Sequence, residues 1–275
     1  MKATIVRILV VVAVLLICTG ASRGAELHPI IEVQSGYLFG AISDGKWVNA
    51  DETAKLIGNE TTYRVYGLTK ALGEAKGGKP AEPEGVPCEE IWAVSLSPKP
   101  ENGVIAIAAS WNALPREPKA IDTTQTVYVD AVRDFLKTKG IEQPKVKIDD
   151  ILRIDLDGDG EEEVLISAAN YFGKADRVPM RSPAGSYSMV LLRRLVEGKV
   201  KTQVVAGEFH PKAYVSKEGS FDAPSIYKVI ATLDLDGDGK LEVVVGSDYY
   251  EGGETTIYRC DPKKVEALLS VACGA

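Results

Sequence analysis

The chain has 275 residues and a formal net charge of −7. It carries no cluster of Lys or Arg, which speaks against nucleic acid as a partner. The chain is long enough for one sizeable core, and one all-β domain can take up this whole length.

The amino terminus reads as an export signal over residues 1–24. Lys2 and Arg7 make a positive start, residues 8–18 are apolar throughout, and the small Thr19, Gly20 and Ala21 follow. A membrane span needs roughly 20 apolar residues, so this run is a signal core rather than an anchor. Bulky Ile17 before Cys18 disfavours lipid attachment. The expected product is secreted or periplasmic, with no membrane span after cleavage. Loss of Lys2, Arg7 and Arg23 makes it more acidic still. Cys88, Cys260 and Cys273 remain, and an exported chain can keep a disulfide.

Residues 25–144 read as a divergent β-rich half with one helix. Strands are expected at 37–42, 47–49, 62–67, 92–97 and 104–108. Residues 51–56 suit a helical turn or two, and the Gly/Pro-rich 76–85 a loop. Helix is expected over 124–139, where Val127, Val129, Val132, Phe135 and Leu136 make an apolar stripe and Gly140 caps the end.

Residues 145–275 contain a repeat, joined to the first half in one compact unit. The segment from Ile154 to Gly160 returns from Leu233 to Gly239. At the same offset Glu163 answers to Glu242, Tyr171 to Tyr250 and Gly173 to Gly252. Apolar runs rich in Val, Ile and Leu flank each copy, as doubly buried strands do. Four strands are expected in the first repeat, at 146–154, 164–168, 187–195 and 201–206. Four more are expected in the second, at 227–233, 241–245, 255–260 and 265–270. Four antiparallel strands per unit is the plan of a propeller blade, so the expected fold is mainly β, a small propeller-like array with one or two short helices.

Each repeat carries Asp-x-Asp-x-Asp-Gly-x-x-Glu. Calcium takes six to eight oxygens at roughly 2.3–2.6 Å. Asp155, Asp157 and Asp159, and likewise Asp234, Asp236 and Asp238, stand at alternate positions that a wrapped chain can turn onto one point. Gly at position 6 allows the turn. The carbonyls of Glu161 and Lys240 at position 7 can add ligands, and Glu163 and Glu242 at position 9 close the loops. In a helix–loop–helix site the closing acid stands at position 12, which is Ile166 or Val245 here. Two calcium ions are therefore expected, in structural sites, since no nucleophile or base accompanies the acids. Magnesium prefers to keep its waters. The alternative for Asp-Gly-Asp-Gly is a plain hairpin turn, which does not need four carboxylates in nine residues.

These two segments resemble FG-GAP or VCBS repeats, found in integrin α-chain-like β-propellers and in many secreted bacterial proteins. The resemblance spans residues ~145–273. It implies calcium held in a hairpin between two blade strands by Asp155, Asp157, Asp159 and Glu163, and by Asp234, Asp236, Asp238 and Glu242. The closing residue in that family is usually Asp. A full propeller of the family has about seven blades, more than this chain can hold.

The only histidines are His28 and His210, each read as a surface or capping residue. There is no Gly-x-Ser-x-Gly elbow and no phosphate loop. Glu89-Glu90 and Asp149-Asp150 read as solvated pairs rather than glycosidase acids. Asn59-Glu60-Thr61 fits a glycosylation acceptor, relevant only in a eukaryotic secretory route. After Gly173 the first repeat carries an insertion, 174–185, with Lys174, Arg177, Met180 and Arg181. It is a candidate binding element or a tolerated surface loop. Tyr171, Phe172, Tyr249 and Tyr250 follow the metal-loop strands as core aromatics or groove walls. The expected function is an extracytoplasmic, calcium-stabilised binding or scaffold protein with a protein or glycan ligand. The alternative is a hydrolase or lyase acting on an extracellular polymer, with its site in the amino-terminal half.

The cysteines follow from the last hairpin. Cys260 lies beside its turn and Cys273 at its far end, roughly 26 Å away at ~3.3 Å per residue. Disulfide Cα atoms lie within ~7 Å. Cys88–Cys273 is therefore the expected bond, with Cys260 left reduced.

Overall fold

A computed structural model describes residues 26–171, 181–213 and 224–274. The expected signal peptide and Lys174, Arg177 and Met180 of the insertion lie outside the described residues, as does Phe172. Among the described residues no helix is long and apolar enough to cross a membrane.

The fold is mainly β and antiparallel. The first half holds β1 (Leu27–Glu32), β2 (Leu38–Ser43), β3 (Lys46–Asn49), α1 (Ala50–Ala54), β4 (Thr61–Tyr66), β5 (Ala71–Gly77), β6 (Leu96–Ser97) and β7 (Ile105–Ile107). These strands form one seven-stranded sheet, ordered β3-β2-β1-β7-β4-β5-β6. Next come β8 (Lys119–Ile121) and α2 (Thr126–Thr138), then β9 (Ile148–Ile154), β10 (Glu163–Ala169), β11 (Ser186–Val196) and β12 (Lys199–His210). Strands β9 to β12 form the expected four-stranded meander, extended at one edge by β8. The last unit is a second meander of β13 (Ile226–Leu233), β14 (Glu242–Tyr249), β15 (Gly252–Cys260) and β16 (Val265–Gly274). The units match the blade plan, but the first half is one continuous sheet and no closed propeller forms among the described residues.

The layers are joined by strands buried on both faces. Val243 and Val245 of β14 pack with Leu152, Leu165 and Val190 of the first meander. Val244 between them faces the other way, onto Ile30, Phe39 and Ile107 of the seven-stranded sheet. In β10, Leu165 joins the core between the meanders and Ile166 the core under α2. Successive side chains of a strand point to opposite faces, so a continuous Val/Ile/Leu run serves two cores at once.

Helix α2 closes the outer face of the first meander. Val132 and Leu136 are fully buried there, while Val127, which the sequence places on the stripe, is largely exposed. Gly140, at φ 81°, ends the helix as expected. Its amide donates to the Lys137 carbonyl, and that of Ile141 donates to Leu136 at 3.2 Å.

Three strands were not legible in the sequence. Strand β1 begins two residues past the expected cleavage region and runs through the middle of the sheet. His28 on it is buried rather than at the surface. Its Nδ1 lies 2.9 Å from the Ala108 carbonyl, and its ring meets Trp111 edge-on. Strand β5 is poor in apolar residues and reaches into the expected 76–85 loop. Gly77 on it packs under the Tyr63 ring, where a Cβ would lie 2.3 Å from a ring carbon. The short β8 precedes residue 145 but pairs with β9. The expected 92–97 strand survives only as β6, with Ala93 making isolated bridges to Tyr37 and Ala81.

Cys88 and Cys273 form a disulfide with Cα atoms 5.5 Å apart. Cys273 pairs with Gly253 and Cys260 with Val265, at opposite ends of the β15–β16 hairpin. The bond ties the last strand to a loop of the first half. Cys260 stays free, and burial pushes its thiol up to about 12.

Candidate metal centre

Both acidic loops connect neighbouring antiparallel strands, β9 to β10 and β13 to β14. They fold alike. Asp155 Oδ1 accepts from the Gly158 amide at 2.7 Å and Oδ2 from Gly160 at 3.1 Å. Asp234 repeats this with Gly237 and Gly239 at the same distances. The position-7 amides of Glu161 and Lys240 donate to Asp159 and Asp238. The closing Glu163 and Glu242 accept from the Leu156 and Leu235 amides, at 2.8 and 3.0 Å. These bonds wrap the chain so that the acids converge. Oxygens of Asp155, Asp157 and Asp159 all lie within 4.8 Å of one another, as do those of Asp234, Asp236 and Asp238. The closing glutamates brace each loop from beneath, one oxygen on the backbone.

The electrostatics fit a cation. Burial raises the Glu163 carboxyl above its usual range. In the second loop burial raises Asp234 and Asp236, the latter helped by the charge of Asp238. Glu242 is pushed up to about 8, first by burial and then by the Asp236 charge. In the first loop Asp157 Oδ1 is shielded from solvent and has no hydrogen-bond partner among the described residues. An orphaned carboxylate oxygen costs several kcal/mol of desolvation unless an ion meets it. The donor set is all oxygen, as calcium requires.

The two loops touch. The Leu241 amide donates to the Leu156 carbonyl at 2.7 Å. Arg116, which the sequence did not single out, donates to the Asp155 carbonyl at 2.6 Å and to the Gly239 carbonyl at 2.7 Å. Trp111 Nε1 donates to the Asp234 carbonyl at 2.8 Å, and the Asp234 amide to Ala113 at 2.8 Å. A segment of the first half thus clasps both loops. At Gly237, φ is 76°, and an added Cβ would sit 3.2 Å from the Trp111 indole. Gly237→Ala should lower stability by about 1–3 kcal/mol in thermal melts, from left-handed strain and this contact.

Apart from the closing glutamates, the acids that the triads do not use are paired at the surface or solvated. Glu162 is paired with Lys119 and Arg153, at 2.8 and 2.9 Å, and so is already neutralised. Asp149 and Asp150 make ion pairs with Lys147 and Lys228. Glu89 and Glu90 are exposed. At the end of β12, His210 Nε2 lies 3.1 Å from both Glu208 Oε1 and Tyr171 Oη, so it belongs to a polar cluster and is no lone surface residue. Tyr171 is buried and Tyr250 is partly exposed, at 40%. Of the insertion, Arg181 is exposed and Ser182 is buried.

Residues 229–258, which hold the second loop and its flanking strands, match the family described as FG-GAP repeat. Comparison with curated proteins and with solved structures gave no match.

Proposed function

We propose that this chain is an extracytoplasmic binding or scaffold protein whose two acidic loops hold structural calcium. The carrying observation is the pair of aspartate triads, one of which contains the orphaned Asp157 Oδ1. The FG-GAP match supports the same reading, because such repeats serve binding and scaffolding in integrin-like proteins. The disulfide suits an oxidising compartment and so supports export. Asp155, Asp157, Asp159 and Glu163 hold one ion, and Asp234, Asp236, Asp238 and Glu242 the other, with the Glu161 and Lys240 carbonyls as further ligands. The ion supplies charge neutralisation and cross-linking. The chain supplies the wrapped loops and the Arg116 clasp. The ligand is an extracellular protein or glycan.

Calorimetric titration with calcium chloride tests the metal reading. Two binding phases are expected. Asp157→Ala should abolish the tighter and Asp236→Ala the weaker, and magnesium should compete poorly. Heat of binding that survives both substitutions would sink the proposal. A glycan array probed with the calcium-loaded protein tests the glycan arm of the ligand class.

A further inference from the structure

An arginine stands at the same strand position beside each loop, and the two are used differently. Val164 pairs with Arg193 and Val243 with Tyr258. Arg194 and Arg259 therefore come one residue further on, next to the closing Glu163 and Glu242. Arg259 turns back onto its own loop. Its Nη2 donates to Asp236 Oδ2, and its Nε lies 3.8 Å from Glu242 Oε1. Arg194 is buried and reaches across to the neighbouring unit. Its Nη2 donates 2.8 Å to the Cys260 carbonyl of the neighbouring unit. Among the described residues it makes no ion pair with the acids of its loop. The acids differ accordingly: Asp157 Oδ1 is left without a partner, while the matching Asp236 is held by a guanidinium.

We propose that Arg259 is a built-in counter-ion of the second loop, competing with calcium for Asp236 and Glu242 and setting that loop's affinity below the first. The inference rests on the calcium reading of both loops. A guanidinium stays charged at any relevant pH and prefers to bridge carboxylates. Calcium entering this loop must either break the Arg259 hydrogen bond or bind beside a fixed positive charge. Either raises the dissociation constant. In the first loop no guanidinium pairs with a triad aspartate among the described residues: Arg194 acts on Glu163 through its charge, while its Nη2 is engaged by a backbone carbonyl across the interface. Arg259 is a third exposed, so it has room to swing into solvent when an ion arrives.

A purely structural role for Arg259 predicts the opposite sign, because loss of a brace loosens the loop and weakens binding. The test is calcium chloride titrated calorimetrically into the full chain carrying Asp157→Ala, so that the heat comes from the second loop. Adding Arg259→Gln should tighten that binding by about tenfold or more, the scale of one nearby unit charge removed. Arg259→Lys keeps the charge and should shift it by less than about threefold. Unchanged or weaker binding in Arg259→Gln overturns the inference. If Asp157→Ala does not fold, the first loop is left intact and the weaker of the two phases is followed, with the same outcomes decisive. Absence of any binding to the unaltered chain overturns the calcium reading instead, so the two failures are distinguishable.

Discussion

Removal of calcium with a chelator should lower the melting temperature by about 5–10 °C for each occupied loop, and added calcium should restore it. An ion held at a hundredfold excess over its dissociation constant stabilises the native state by about 2.7 kcal/mol, and 1 kcal/mol moves a domain of this size by about 2–4 °C. The physical source lies in the triads. Three carboxylates within 4.8 Å repel one another when no cation stands between them. The repulsion is about 1 kcal/mol per pair in water-like surroundings and several-fold more where solvent is shielded. The loops are also structural joints. Each connects two strands buried on both faces, and Arg116 and the Leu241–Leu156 hydrogen bond link one loop to the other. Loosening one loop therefore disturbs the core between the meanders. Melts in buffer stripped of divalent ions, with and without added calcium chloride, check this. An identical curve in both would remove calcium from the account.

Loss of the Cys88–Cys273 bond should cost roughly 5 kcal/mol. The chain-entropy model gives that scale for a closed loop of 185 residues. The bond also closes the architecture. Strand β16 is the last in the chain, and Cys273 near its end is fastened to a loop of the first sheet. Without it, β16 keeps its hydrogen bonds to β15 and its packing on the first sheet through Leu268, Leu269 and Val271. Cys273→Ser should therefore unfold at lower denaturant yet still fold, whereas Cys260→Ser should change stability far less. Denaturant curves measure the first difference, and peptide mapping without reductant should recover a Cys88–Cys273 pair. A Cys260–Cys273 peptide would contradict the hairpin register itself.

Local patterns carried much of this protein. The nine-residue acid loops, the apolar runs beside them and the turn at Asp261-Pro262 are each complete within a short stretch, so the two meanders could be read directly. Helix α2 declared itself by its stripe and its glycine. The disulfide could be deduced because hairpin geometry alone separates Cys260 from Cys273. Glu161 and Glu162 add negative charge to the first loop where Lys240 stands in the second, a difference that by itself favours cation binding at the first. The same order is expected from the structure for a different reason, since Glu162 is neutralised by Lys119 and Arg153 while Arg259 occupies the second loop.

What tertiary structure alone decided is where distant segments meet. Strand β7 inserts between β1 and β4, and nothing in its three residues names those partners. Strand β5 has little apolar character of its own and is a strand because β4 and the Tyr63 ring hold it. Arg116 reaches both loops from about forty and about a hundred and twenty residues away in sequence. Arg194 and Arg259 stand at matching strand positions only in the folded sheets, where one meets a backbone carbonyl and the other carboxylates. The acidic loops are legible because their carboxylates are close along the chain, at the spacing that ligation of one small ion would require. Strand partners and counter-ions are chosen by burial and by the free hydrogen-bonding groups of distant segments, and these exist only once the sheets have packed.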